Sequence, residues 1–163
     1  MQSTACITSL SNKQEKIFDT VSRNPEDLAA ILYTSGTTGR SKGAQLSHKN
    51  LLSNTEVLKD FWKFSENDIL LHMLPIYHTH GLFVACNLLA YVGGSMIFLP
   101  KFDSEQALTW MKSANTMMGV PTFYTRLLNE DRFDKELTNH MRLFISGSAP
   151  LLAETHIEFE KRT

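Results

Sequence analysis

The stretch LAAILYTSGTTGRSKG, residues 28–43, joins an apolar run to a loop of small and hydroxyl-bearing residues. Leu28–Leu32 is typical of a buried strand, and it leads directly into Tyr33–Gly43. The loop holds three glycines, five serine or threonine hydroxyls and two cationic side chains. Glycines let a backbone turn tightly and approach a ligand, and hydroxyls, backbone N–H groups and lysine bind phosphate oxygens. The stretch therefore predicts a strand that ends in a polyphosphate cradle.

This loop is not a Walker phosphate loop. That pattern would require glycine at position 41 and serine or threonine at position 43 if it began at Gly36. The chain has Ser41 and Gly43 instead. A flexible glycine-rich connection is the alternative, but the ordered placement of Lys42 between Ser41 and Gly43 favours a binding loop.

From residue 28 onward, apolar runs alternate with segments of helical periodicity. This alternation predicts an α/β fold, with a mostly parallel sheet and helices on both faces. Strands are expected at 28–33, 69–74, 95–99, 116–120 and 143–146. Helices are expected at 48–61 after Ser47, at 82–91 before Gly93, at 104–113 behind an Asp103–Gln106 capping box, at 122–128 after Pro121, and at 151–161.

The two ends of the chain differ in character. Residues 1–24 are polar and weakly patterned, which predicts a loop or partly ordered lead-in with a short helix near 13–18. Residues 25–163 are expected to form the α/β part. The last helical pattern reaches the end of the sequence without a cap or breaker, so we expect a chain truncated at both ends.

Composition excludes several classes of function. The net charge of −1 gives no electrostatic basis for a nucleic-acid partner. No stretch reaches 18 consecutive apolar residues, and no secretory signal opens the chain, so neither a membrane span nor export is expected. Cys6 and Cys86 match no metal or redox spacing, which indicates free thiols in a reducing compartment, and hence a cytoplasmic protein.

Three further blocks carry candidate site residues. LPIYHTHG, residues 74–81, places His78 and His80 two positions apart, but no third ligand stands nearby, so no metal site is expected. MGVPTFYTR, residues 118–126, ends in Arg126, whose guanidinium suits a substrate with a second carboxylate; a surface arginine is the alternative. ISGSAPL, residues 145–151, follows a predicted strand with small residues, where open α/β sheets bind ligands.

The order and spacing of the four blocks resemble the acyl-adenylate-forming enzymes, which include acyl-CoA synthetases, nonribosomal adenylation domains and firefly luciferase. The resemblance covers roughly residues 27–163. It implies ATP and CoA as co-substrates, Mg²⁺ as a cofactor, and small molecules as the partners. Within this superfamily the pattern is most similar to the bacterial malonate–CoA ligases, which implies malonate as the acid.

The resemblance also implies roles for individual residues. Lys42 and His78 are assigned to catalysis, with His78 at a position that lines the acyl pocket. Arg126 and His80 are assigned to the substrate carboxylate. The ATP phosphates are assigned to Thr34, Ser35, Gly36, Thr37, Thr38, Gly39 and Lys42, and the adenine and acyl groups to Gly147, Ser148, Ala149 and Pro150.

Several parts of the family pattern are absent from this sequence. We find no Y-G-x-T-E block, whose acid helps to hold magnesium, no ribose-binding aspartate, and no C-terminal domain with its lysine. The chain alone is therefore expected to be inactive, with the rest of the same enzyme as its partner. A CoA ligase for a medium-chain or aryl acid, and a non-catalytic nucleotide-binding fragment, stay open as alternatives.

Overall fold

The computed structural model describes residues 14–15, 17–34 and 41–163, and of Thr34 only the backbone. These residues divide into two compact units, residues 1–48 and 49–163. The predicted helix near 13–18 lies partly outside the described residues, and its described members form no helix. Cys6 also lies outside them.

The first unit contains an antiparallel hairpin of β1 (Leu28–Thr34) and β2 (Lys42–Ser47). The predicted strand at 28–33 is confirmed. The expectation that this strand belongs to the parallel sheet is wrong, because it pairs with β2. No strand was expected at β2. β2 is short and mostly exposed, with glycine and polar residues on it, so it lacks the apolar signature of a strand.

The second unit contains the parallel sheet, in the strand order β4-β3-β5-β6. Its strands are β3 (Ile69–His72), β4 (Ser95–Phe98), β5 (Thr116–Gly119) and β6 (Leu143–Ser146). Its helices are α1 (His48–Trp62, which begins one residue before the unit), a π-helix (His80–Cys86), α2 (Asn87–Val92), α3 (Ser104–Met111), α4 (Pro121–Leu128), α5 (Lys135–Thr138) and α6 (Ala153–Arg162).

Helices cover both faces of this sheet, as predicted. Adjacent residues of a strand contribute to opposite cores: Leu71 and Met117 pack on one side, Leu70 and Met118 on the other. The first core also contains residues of α3, α4 and α6, and the second contains residues of the π-helix and α2. Such strands are buried on both faces, which explains why they are apolar throughout.

The helix predicted at 82–91 differs from expectation. It begins at His80 as a π-helix and continues as α2, which ends at Gly93 in the left-handed conformation. Two of its apolar side chains, Leu82 and Tyr91, are exposed. One hydrogen bond of the predicted capping box is confirmed: the Asp103 carboxylate accepts from the backbone N–H of Gln106 at 3.0 Å.

The strand order creates a switch point between β3 and β5. The chain leaves β3 for β4 on one side, then returns to place β5 on the other side of β3. In open α/β sheets, ligands bind at such a point, beyond the carboxyl ends of the strands. Among the helices in the described part of the chain, none has the length and apolar character needed to cross a membrane.

Candidate functional site

The predicted phosphate loop closes the hairpin of the first unit. Thr34 at the end of β1 pairs with Lys42 at the start of β2, so the intervening residues form the hairpin connection. Positions 35–40 lie outside the described residues, and with them Ser35, Gly36, Thr37, Thr38 and Gly39. The side chain of Lys42 is exposed.

In the second unit, the HTHG block folds back on Pro75 directly after β3. The Pro75 carbonyl accepts from the backbone N–H of His78 at 3.2 Å. A Cβ atom at Gly81 would lie 2.3 Å from the same carbonyl oxygen, so only glycine permits this approach. The two histidines therefore lie in a turn and at the start of the π-helix, not on one face of a strand.

The two histidines have different surroundings. His78 is exposed, and its ring centroid lies 4.7 Å from that of Tyr77. His80 is half-buried, and burial lowers the pKa of its imidazole, which is therefore neutral near pH 7. A neutral imidazole has one N–H donor and one acceptor nitrogen.

The SGSAP turn follows β6 at the same edge of the sheet. The backbone N–H of Gly147 donates to the Gly119 carbonyl at 3.0 Å, which continues the β5–β6 ladder by one residue. Ser148 then adopts a φ of 69°, in the left-handed region that residues other than glycine rarely occupy. Ala149 and Pro150 are exposed. The turn thus leaves the sheet abruptly and presents Ser148 at its edge.

The HTHG block and the SGSAP turn meet. The Nδ1 atom of His80 lies 3.1 Å from the hydroxyl oxygen of Ser148, within hydrogen-bond distance. The imidazole also lies against Gly147, where a Cβ atom would be 2.9 Å from the ring carbon Cε1. The structure therefore joins residues from two blocks that are 68 positions apart in the chain.

Two clefts, of about 350 and 370 Å³, open on either side of this contact and share Thr79, His80 and Ser148. Both lie at the carboxyl ends of the central strands, where the switch point predicts a ligand site. The first is otherwise lined by Asn54, Leu58, Trp62, Val84, Ile145, Ser146 and Gly147, and the second by Leu74, Pro75, His78, Gly81 and Val120.

Larger clefts occur elsewhere in this unit. One of about 560 Å³ lies between α6 and β6, and one of about 480 Å³ lies between α3 and α5. The larger one contacts Ser146 and Leu151 of the ISGSAPL block, but neither is lined by a residue to which the resemblance assigns a role, and neither lies at the switch point. We therefore take the paired clefts around His80 as the candidate site.

Arg126 lies apart from these clefts. It is exposed near the end of α4, and its guanidinium carbon is 4.7 Å from the ring centroid of Phe102. Phe102 in turn stacks on Phe123, at 4.2 Å between centroids. The guanidinium is thus held by a cation–π contact, and its role in binding a carboxylate stays a prediction.

Several residues that line the clefts were not predicted from the sequence. Thr79 lies inside a recognised block but has no distinctive chemistry of its own. Asn54 and Trp62 lie on α1, where Trp62 reads as ordinary helix packing. The available signal was Asn54, four residues before Leu58. The two residues share one helix face, so a polar side chain there could have indicated a ligand site.

No group of three or more His, Cys, Asp or Glu side chains in the described ranges is placed to hold a metal ion. His72 at the end of β3 is fully buried, and neither ring nitrogen has a hydrogen-bond partner. Burial is the main cause that lowers the pKa of His72, and the charge of His80 lowers it further.

Comparisons with known proteins agree with this geometry. The structure of ATP-bound MatB from Rhodopseudomonas palustris superimposes with a TM-score of 0.89 and is 61% identical, over 96% of this chain and 31% of that chain. The mitochondrial malonate–CoA ligase ACSF3 of Mus musculus is 37% identical over 76% of this chain. The long-chain-fatty-acid–CoA ligase of Bacillus subtilis is 36% identical over 86% of it.

The chain spans about a quarter of the length of these curated relatives, 24% of the mouse protein and 26% of the Bacillus protein. The family model of the AMP-binding enzymes matches residues 2–163, which is nearly the whole chain. All four sequence blocks lie within the matched range. The chain belongs to the AMP-binding enzyme family.

Proposed function

We propose that this chain is part of an acid–thiol ligase that activates malonate with ATP and transfers the malonyl group to CoA. The observation that carries the proposal is the 61% identity to MatB, which extends over 96% of the chain and includes all four blocks. The clefts at the switch point support it, because residues from three of those blocks line them.

The proposed reaction has two steps. A malonate carboxylate oxygen attacks the α-phosphorus of ATP; a bond forms between them, and the bond to the bridging oxygen breaks, which releases pyrophosphate. The CoA thiolate then attacks the acyl carbon and AMP leaves. Neither step needs an enzyme nucleophile, so the chain contributes by positioning the reactants and stabilising developing charge.

The residues divide between the two units. Lys42 and the loop from Thr34 to Gly39 bind the leaving pyrophosphate, whose growing negative charge requires oriented donors. His78 and His80 lie at the acyl side of the site, with Gly147 and Ser148 beside them. Together with Ala149 and Pro150, the latter two residues contact the adenine and acyl groups.

Magnesium at such sites is held by one or two carboxylates together with the substrate phosphates, and no Asp or Glu among the described residues lines either cleft around His80. The proposal places its carboxylate ligand in a further part of the enzyme, together with the remaining CoA and ribose contacts. A cytoplasmic location is also proposed, from the cysteine spacing.

A second candidate is a ligase for an acid without a second carboxylate. The position of Arg126 favours it, since the guanidinium lies over Phe102 and lines neither cleft around His80. In that case Arg126 is a surface residue, and the acyl side of the site would accept an alkyl or aryl acid.

Substrate-dependent ATP–pyrophosphate exchange separates the two candidates. A full-length enzyme carrying this segment is assayed for exchange with malonate, butyrate, octanoate and benzoate. Formation of each CoA thioester is then measured. We expect a specificity constant for malonate at least about 100-fold above that for butyrate, since a site that binds the second carboxylate leaves its own polar groups unpaired with butyrate, which costs about 2–5 kcal/mol. Equal constants for malonate and butyrate would remove malonate as the specific substrate. If none of the four acids supports exchange, only nucleotide binding is left.

A further inference from the structure

Ser148 occupies an unusual backbone conformation with a clear consequence for its side chain. Its φ of 69° is disfavoured for a residue with a Cβ atom. In that conformation its hydroxyl lies 3.1 Å from Nδ1 of His80. Strained positions of this kind persist where the surrounding structure requires them, and they concentrate at functional sites.

Gly147 contributes in a different way. Its φ is not in the left-handed region, so alanine would suit the backbone. A Cβ atom there would nevertheless lie 2.9 Å from Cε1 and 3.3 Å from Nδ1 of His80. The imidazole therefore occupies the space that any other side chain at position 147 would need.

Both observations concern the same ring, and His80 lines both clefts of the candidate site. We propose that Gly147 and Ser148 are positioning residues for His80, with the Ser148 hydroxyl donating to Nδ1 so that the proton of the neutral imidazole stays on Nε2. This inference rests on the proposed function, because the anionic ligands of that function decide the direction of the hydrogen bond.

The direction follows from the charge of the ligand. A carboxylate or phosphate oxygen accepts hydrogen bonds, so the ring nitrogen that meets it must carry a proton. If Nδ1 accepts from Ser148, Nε2 keeps the proton and is a donor. If Nδ1–H donated to Ser148 instead, Nε2 would present a lone pair, which an anion repels.

The electrostatic surroundings suit a neutral ring. No Asp, Glu, Lys or Arg among the described residues lines either cleft. The titratable neighbours are His78, which lines the second cleft, and His72, whose pKa the charge of His80 lowers. Burial opposes protonation of His80 as well.

The proposal is tested by histidine NMR in a full-length enzyme carrying this segment. The ¹⁵N shifts of the ring report the tautomer, and a pH titration reports the pKa; loss of the signal in His80→Gln identifies it. We expect the Nε2–H tautomer. Ser148→Ala should lower the pKa of His80 by roughly 0.5–1 pH unit, because the hydroxyl can rotate to accept from Nδ1–H of the imidazolium, and that charge-assisted bond is stronger than the one it makes to the neutral ring. Ser113→Ala, at an exposed position, is the matched control.

A double-mutant cycle tests whether the two residues act on one ring. Gly147→Ala should displace the imidazole and break the same hydrogen bond, so the Gly147→Ala/Ser148→Ala double variant should shift the pKa no further than the larger single shift. Ser148→Gly also removes the hydroxyl but relieves the left-handed backbone, so it gives the same titration shift if the alanine variant folds poorly.

Three results would overturn the inference: an Nδ1–H tautomer, an unchanged or raised pKa in both Ser148 variants, or additive shifts in the cycle. The titration needs no substrate. If the unsubstituted enzyme shows no malonate-dependent exchange while the pKa shifts as expected, the proposed function fails and the positioning of His80 stands.

Discussion

Removal of Arg142 should loosen the parallel sheet at the edge opposite the candidate site. Asp68 precedes β3 and is 2% exposed, and Arg142 precedes β6. Their side chains form a bidentate pair, with Nε–Oδ1 at 2.6 Å and Nη2–Oδ2 at 2.8 Å. Arg142 also donates to the Trp62 carbonyl at 3.0 Å, and its guanidinium carbon lies 4.9 Å from the Phe64 ring centroid.

Loss of one partner of a buried ion pair costs about 3–5 kcal/mol, because the other charge is left without compensation. The Arg142 side chain is 34% exposed, so water can reach the vacated space and reduce that cost. The backbone N–H of Ser65, at 2.8 Å from Oδ2, still stabilises the carboxylate of Asp68. We therefore expect Arg142→Met to destabilise the sheet by about 2–4 kcal/mol.

Hydrogen exchange is a suitable assay, because it reports local opening within a larger enzyme. A loss of 2–4 kcal/mol corresponds to roughly 30- to 900-fold faster exchange of β3 and β6 amides. This holds where local opening of these strands requires less free energy than global unfolding. The control is Lys59→Ala, which breaks an exposed pair with Asp60 at 3.3 Å and should change exchange less than about fivefold. The reasoning is refuted if Arg142→Met accelerates β3 exchange no more than the control does.

Lys42→Ala should lower the rate of adenylation by roughly 10²–10³, because a charged donor to pyrophosphate is lost; unchanged ATP–pyrophosphate exchange would contradict this. Arg126→Leu should lower the malonate-to-butyrate ratio of specificity constants by about 30-fold or more if the guanidinium binds the second carboxylate, and a constant ratio would make it a surface residue. Burial lowers the pKa of His72, so the folded state loses stability as pH falls below the ordinary value of 6.5; His72→Leu should reduce the acid-side fall in melting temperature, and an equal fall in both proteins would count against it. The isolated chain should self-associate, since apolar Val57 and Phe61 are exposed on α1; a monodisperse monomer in light scattering, with a sharp melt, would disagree.

Much of the second unit was predictable because its signals are local. The strands at 116–120 and 143–146 were found within one residue, since they are short apolar runs bounded by turn residues. Asp103 caps its helix as its spacing to Gln106 predicts. The family resemblance was equally local, because each block is a contiguous motif.

The hairpin of the first unit was not predictable in the same way. β2 has only Ala44 and Leu46 as alternating apolar residues, and its partner lies across a glycine-rich loop, so periodicity gives little signal for their antiparallel pairing. The π-helix was missed for a related reason. Its apolar residues fit an α-helical pattern, and only the turn at Pro75 and Gly81 moves its start to His80.

The amino-acid sequence alone determined the α/β class, the AMP-binding family and the residue types available for chemistry, because periodicity, caps and motifs are properties of neighbouring residues. Tertiary structure alone decided which blocks meet. His80 reaches Ser148 across 68 positions, and Arg142 reaches Asp68 across 74, because the strand order sets β5 beside β3 and β6 beside β5. It also placed Arg126 over Phe102, outside the clefts around His80. Such contacts depend on strand order and side-chain packing, which no local pattern encodes.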